Sequence, residues 1–172
     1  PSEINNKQNI SSGIMITRNT KKSLIMFYSA YVGDDFRSDL GYYRRYGMYK
    51  FEPNYRFRIY PDNPKIQEIE LSHYAAWVFR TELENKYEGN IHYSQIQLKY
   101  LSTSRLSLQR RQSKTYLYYD FDPTRSLNGN PLPKNNFYDY VDYIFSYKSS
   151  SRNIFNIDSS ISYGGFFNGN KF

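Results

Sequence analysis

Arg44, Arg45, Arg56 and Arg58 are the side chains whose type and spacing best suggest chemistry in this chain. In an extended strand, residues two apart point the same way. Arg56 and Arg58 therefore share a face, and with a neighbouring strand they would make a basic stripe. Such a stripe either fills and rigidifies a polar lumen or selects anionic solutes. Arg44 and Arg45 are adjacent, so only one of them can join it. Glu68 and Glu70, in the next strand-like run, are spaced to pair with it.

Other constellations are weaker. The two histidines, His73 and His92, stand in no metal-ligand spacing with each other or with a carboxylate pair. His73 falls among apolar residues and reads as a packing or interface side chain. Asp34, Asp35 and Asp39 make an oxygen-rich loop without EF-hand spacing, so a solvated loop is expected, with calcium as the lesser alternative. Asp120 and Asp122 flank Phe121. A carboxylate pair can do acid–base work on glycosides, but nothing nearby shapes a cleft, and a strand-end turn is expected. The chain has no cysteine, which excludes disulfides, thiolate metal sites and cysteine catalysis. It carries no phosphate-binding glycine loop, nucleophile elbow or zinc-protease helix. No enzyme activity, cofactor or metal is expected.

The elements that must carry these side chains are strands. Tyrosine occurs 20 times and aromatics make up 19% of the 172 residues, yet mean hydropathy is −0.79. Tyrosine suits a pleated, half-buried surface. Residues 1–13 are polar and read as an irregular lead-in; residues 14–172 read as one β-domain. Alternation has period two. Ile69, Leu71, His73, Ala75, Trp77 and Phe79 oppose Glu68, Glu70, Ser72, Tyr74, Ala76 and Arg80. Similar runs lie around Tyr55–Tyr60, His92–Tyr100, Phe137–Tyr147 and Asn153–Tyr163, with Asp139 and Ile144 out of phase. Turn signals stand at 18–22, 51–54, 61–64, 87–90 and 147–152, and longer polar loops at 32–41 and 122–133. The count is eight or nine strands and no helix.

Long antiparallel strands joined alternately by tight turns and longer loops suit an up-and-down barrel. The same alternation suits a soluble sandwich; what differs is which face is inside. In an outer-membrane barrel the apolar face meets lipid, the polar face lines the lumen, and aromatic girdles mark the interfaces. Tyr42, Tyr43, Trp77, Phe79, Tyr116, Tyr118, Phe137 and Tyr138 cluster near run ends and are the candidate interface aromatics. No run approaches the length of a membrane helix, which leaves barrels open. The net charge of +7, with a pI near 9.4, permits anionic partners. The basic residues form no single block and no RNA-binding motif is present, so no nucleic-acid partner is expected.

Three segments add to this reading. They are Val32–Tyr46, with its Gly-Asp-Asp and Gly41-Tyr42-Tyr43; Tyr118-Tyr-Asp-Phe-Asp-Pro123 followed by Pro131-Leu-Pro133 and Tyr138; and Tyr147–Arg152 running to Gly164-Gly-Phe-Phe-Asn-Gly169. In this order and spacing, over residues 30–170, the chain resembles the C-terminal barrel region of a Bacteroidota outer-membrane family. Those proteins carry an N-terminal sandwich similar to a family 9 carbohydrate-binding module, then a β-barrel domain of unknown function. The resemblance implies an outer-membrane location in a Gram-negative bacterium and supplies no catalytic residues. The chain departs from the family in lacking the sandwich and the flanking barrel strands, and in having Gly41-Tyr42 where Gly-Phe is usual.

The expectation is an all-β, antiparallel up-and-down barrel of outer-membrane type, or a partial segment of one. It would act as channel, scaffold or anchor, with glycan handling implied by the resemblance alone. Its partners would be outer-membrane lipid, the remaining strands and N-terminal domain of a longer chain, and glycan. The alternative is a soluble sandwich or small barrel that binds carbohydrate through exposed aromatics.

Overall fold

The computed structural model describes residues 10–36, 46–81, 87–123 and 129–172. Among these residues there is no helix, and nine strands form one sheet. They are β1 (Ser11–Asn19), β2 (Ser23–Val32), β3 (Met48–Ile59), β4 (Ile66–Arg80), β5 (Tyr87–Tyr100), β6 (Arg105–Leu117), β7 (Asn136–Lys148), β8 (Asp158–Phe166) and β9 (Gly169–Lys171). Each strand pairs antiparallel with the next in sequence, an up-and-down meander. β1 and β9 do not meet, so the sheet is open and not closed into a barrel.

The period-two pattern becomes two faces because the registers hold parity across the sheet between the ends of β4. Arg58, Glu70, Gln97, Ser107, Ser146 and Ser160 form one cross-strand row from β3 to β8. The row beside it is Phe57, Leu71, Ile96, Leu108, Phe145 and Ile161. One row is wholly polar, its neighbour wholly apolar, and they point to opposite faces. Among the described residues the few buried apolar side chains, Val32, Ala75, Ala76 and Leu132, make no sandwich-like core.

The ends of the sheet differ. At one end the strands are joined through residues 20–22, 60–65, 101–104 and 149–157; at the other, the two longest connections cover 33–47 and 118–135. Part of the second long connection is tied down by a bridge between Phe121 and Leu132, with N···O distances of 3.1 and 2.8 Å.

Several expected boundaries shift. Ser11 already pairs with Val32, so the sheet begins before residue 14. Phe51-Glu-Pro-Asn54 is not a turn but the middle of β3. Pro53 has no N–H to give β4. Phe51 opposite Trp77 and Asn54 opposite Tyr74 keep the same register on both sides of the gap, so the ladder is interrupted without a slip. Tyr87-Glu-Gly-Asn90 likewise opens β5; there the register shifts between Val78 and Phe79, and Gly89 (φ 158°) sits at a bulge where a Cβ would strike the Lys114 carbonyl. The last run starts late: Ile154 and Phe155 are almost fully exposed ahead of β8.

Gly164 (φ 151°) pairs with Asp142, and a Cβ there would fall 2.5 Å from the Asp142 Cα. Gly164→Ala is expected to destabilise the fold by about 1–3 kcal/mol, read from urea unfolding by circular dichroism. Gly169→Ala, whose Cβ would meet nothing nearer than the Phe166 carbonyl at 3.8 Å, should change stability by less than about 0.5 kcal/mol.

Candidate functional site on the polar face

The two faces differ in cover as well as in chemistry. On the apolar face Leu71, Ile96, Leu108, Phe145 and Ile161 are 41%, 42%, 48%, 48% and 58% exposed. On the polar face the Asp142 side chain is fully covered, and those of Glu70 and Glu52 are 13% and 14% exposed. A single sheet with no second layer covers one face only by curling toward it. The polar side is therefore the inner, concave one, the reverse of a water-soluble sandwich.

A chain of polar contacts crosses this inner face. Lys50 Nζ lies 2.6 Å from Glu52 Oε1, which also accepts a 2.6 Å hydrogen bond from the Tyr74 hydroxyl. The Tyr74 ring packs 5.9 Å from that of Tyr93, which stands opposite Arg111. Arg111 donates to both oxygens of Asp142 at 2.7 and 2.6 Å, and Lys171 Nζ completes the group at 3.1 Å. Parity in the sequence puts Asp142 on the polar face. Its partners depend on the β6–β7 register and on the short β8–β9 hairpin, which no sequence spacing announces.

Toward the short-turn end the same face holds a polar basin of about 510 Å³. Arg56 and Arg58 share Glu70, with Nε···O distances of 3.5 and 3.1 Å. Lys99, Arg105 and Glu68 complete its charged lining. Ser72, Gln95 and Gln97 supply neutral hydrogen-bonding groups. The proposed partners Arg44 and Arg45 lie outside the described residues. Near the long-loop end, Arg80 pairs with Glu88 at 3.2 Å and donates to the Tyr46 carbonyl at 2.7 Å.

The aromatics divide between the faces. Phe27, Phe51, Phe79, Tyr87, Phe137, Tyr116 and Tyr118 form a continuous path of ring contacts, with centroids 5.0–6.5 Å apart. Trp77, on the apolar face of β4, packs edge-on to His92 at 5.1 Å. Tyr138 departs from the expected interface set. Next to Phe137 in a strand it must point the other way, and it joins Tyr140, Phe121, Phe166 and Phe167 in a second ring cluster. Tyr42 and Tyr43 lie outside the described residues.

The weaker constellations find structural roles. His73 bonds Ser94 Oγ at 2.9 Å, and its ring lies 5.7 Å from that of His92, a neighbour set by the β4–β5 register. Asp34 accepts a 2.6 Å bond from the Thr81 hydroxyl; Asp39 lies outside the described residues. Among the described residues no group of three or more His, Asp or Glu gathers as a metal site. Asp120 accepts the Lys134 amide at 2.9 Å, tying the 118–135 connection together.

Comparison with family models, curated proteins and solved structures finds no match to this chain.

The Asp142 group separates a buried ion cluster from a surface pair. Asp142→Ala strands Arg111 and is expected to cost about 3–5 kcal/mol. Asp158→Ala, which breaks the exposed 2.7 Å pair with Lys148, should cost less than about 1 kcal/mol. Equilibrium denaturation of the two variants measures the contrast.

Proposed function

We propose that this chain is a segment of an outer-membrane β-barrel of a Gram-negative bacterium, serving as channel, scaffold or anchor. One observation carries the reading: an entirely apolar row, about half exposed, lies beside an entirely polar row on the covered face. In water that arrangement leaves a broad greasy surface unsatisfied. In lipid it is the expected one.

Three further features support it. β4 to β7 run 15, 14, 13 and 13 residues, longer than the ~9–11 needed to cross the apolar layer. The longest connections gather at one end of the sheet, as extracellular loops do in such barrels. Apolar side chains, aliphatic apart from Phe27, also run diagonally across the apolar face. They are Ile16 and Phe27 in β1 and β2, then Leu71, Ile96 and Leu108 in β4 to β6, which sit four residues nearer the short-turn end, in the row that begins at Ser23. Strands tilted in a membrane need such an offset to keep a level band. His92, Arg110, Gln112, Lys114 and Asp139, polar residues on the same face, then lie beyond the band toward the long-loop end.

The outer edge of β1, which pairs with no strand among the described residues, needs partner strands, because lipid cannot satisfy backbone N–H and C=O groups. Those strands would come from the remainder of a longer chain. A role in glycan handling rests on the family resemblance alone. The soluble carbohydrate-binding alternative is less well supported, since it would need Leu71, Ile96 and Leu108 sealed in a core.

Two measurements test the membrane reading. Trp77, the single tryptophan, stands in the row of Lys114 and Asp139, so the reporter is Leu71→Trp, in the apolar row, with Trp77→Phe: its emission in vesicles should be quenched by lipids brominated on their acyl chains and insensitive to iodide, and the opposite pattern would sink the proposal. Leu108→Arg should cost about 2–4 kcal/mol of folding in lipid and reduce the heat-modifiable, membrane-inserted fraction. If the protein is soluble, a half-exposed Leu108 should accept arginine with a change below about 0.5 kcal/mol.

A further inference from the structure

We infer that the basin at the short-turn end of the polar face is a binding site for a phosphate-type oxyanion. One cross-strand row on that face consists of Glu68, Lys99, Arg105, Lys148 and Asp158. Lys99 and Arg105 are direct cross-strand partners, and Lys148 is the next in line. Like charges directly opposite one another on a sheet repel and destabilise the pairing. Lys148 is relieved by Asp158 at 2.7 Å. Lys99 and Arg105 make no ion pair among the described residues, although Glu68 stands opposite Lys99.

The rest of the basin does not make up the deficit. Arg56 and Arg58 both lean on the single carboxylate of Glu70, and the buried Arg56 Nε, 3.5 Å from it, makes no hydrogen bond. Four cations therefore face two carboxylates around a cavity of about 510 Å³. The half-covered, concave setting strengthens each charge relative to open water. Gln95, Gln97 and Ser72 add donors able to reach an oxyanion that the guanidinium groups hold. The basin exceeds the size of inorganic phosphate, so the natural ligand is a solute or glycan bearing a phosphate-type group. The inference does not depend on the apolar face meeting lipid: a polar concave face carries it in either setting.

The test uses the full-length protein and inorganic phosphate, with sodium chloride at matched ionic strength as the control. Phosphate is expected to raise the melting temperature saturably, beyond the chloride control, as mass action requires of a ligand that binds only the folded state. Lys99→Gln/Arg105→Gln should weaken phosphate binding at least tenfold by calorimetric titration. In phosphate-free buffer the same variant should melt at or above the wild-type temperature, because a repulsive pair has been removed. Lys22→Gln, in the turn between β1 and β2, should leave binding unchanged. A wild-type melting temperature that follows ionic strength alone would overturn the inference, as would undiminished binding by the double variant. If the double variant does not fold, Lys99→Gln alone and the wild-type titration decide between the same outcomes.

Discussion

The register of the antiparallel ladders is the constraint on which everything else in this molecule rests. Side chains alternate along a strand, so a slip of one residue would carry every arginine and glutamate of that strand to the apolar face. The eight successive pairings preserve parity except at the two ends of β4, where its ladder with β5 shifts by one residue. Pro53 removes a ladder bond without moving the frame, and the two shifts, between Ile66 and Glu68 and between Val78 and Phe79, leave the middle of β4 in one register with β5. The two faces are consequences of this one fact.

A single open sheet has no apolar core to stabilise it, and the polar face takes over part of that work. Isolated burial of the Asp142 carboxylate would be prohibitive. A bidentate guanidinium and an ammonium make it tolerable, and they tie β6, β7 and β9 together. Arg56, Arg58 and Glu70 do the same for β3 and β4. Such groups contribute less net free energy than apolar packing would, but they fix which strand lies against which. In the basin the same material is left incomplete: cations outnumber carboxylates where the Asp142 group is satisfied. That contrast separates a structural ion cluster from a surface with a reason to bind something.

The apolar face supplies the complementary half of the reading. On the membrane proposal, its exposed apolar row and its diagonal drift across tilted strands would meet lipid, and its path of touching rings would lie toward the long-loop interface. The same proposal asks that the open edge be completed by further strands, because unsatisfied backbone groups are tolerated in water and not in hydrocarbon. The polar residues of β5 to β7 on the same face would then stand outside the lipid band.

Period-two alternation was enough to determine that the chain is all-β and up-and-down, and to assign Arg56, Arg58, Glu68, Glu70 and Asp142 to the wet side, because facing depends only on position along a strand. Position near a run end grouped Phe137 with Tyr138, whereas alternation sets them on opposite faces, and only Phe137 joins the ring path on the apolar face. Pro53 and Gly89 read locally as turns and are strand residues, because neighbouring strands override one missing donor or one permissive backbone position. Asp142 meeting Arg111 and Lys171, His73 meeting His92, and Lys99 meeting Arg105 were decided by the tertiary structure alone. Pairings between strands follow register and connection length, which are collective properties of the sheet. Which face is covered was likewise beyond sequence, since alternation is symmetric between inside and outside and only the curl of the sheet breaks that symmetry.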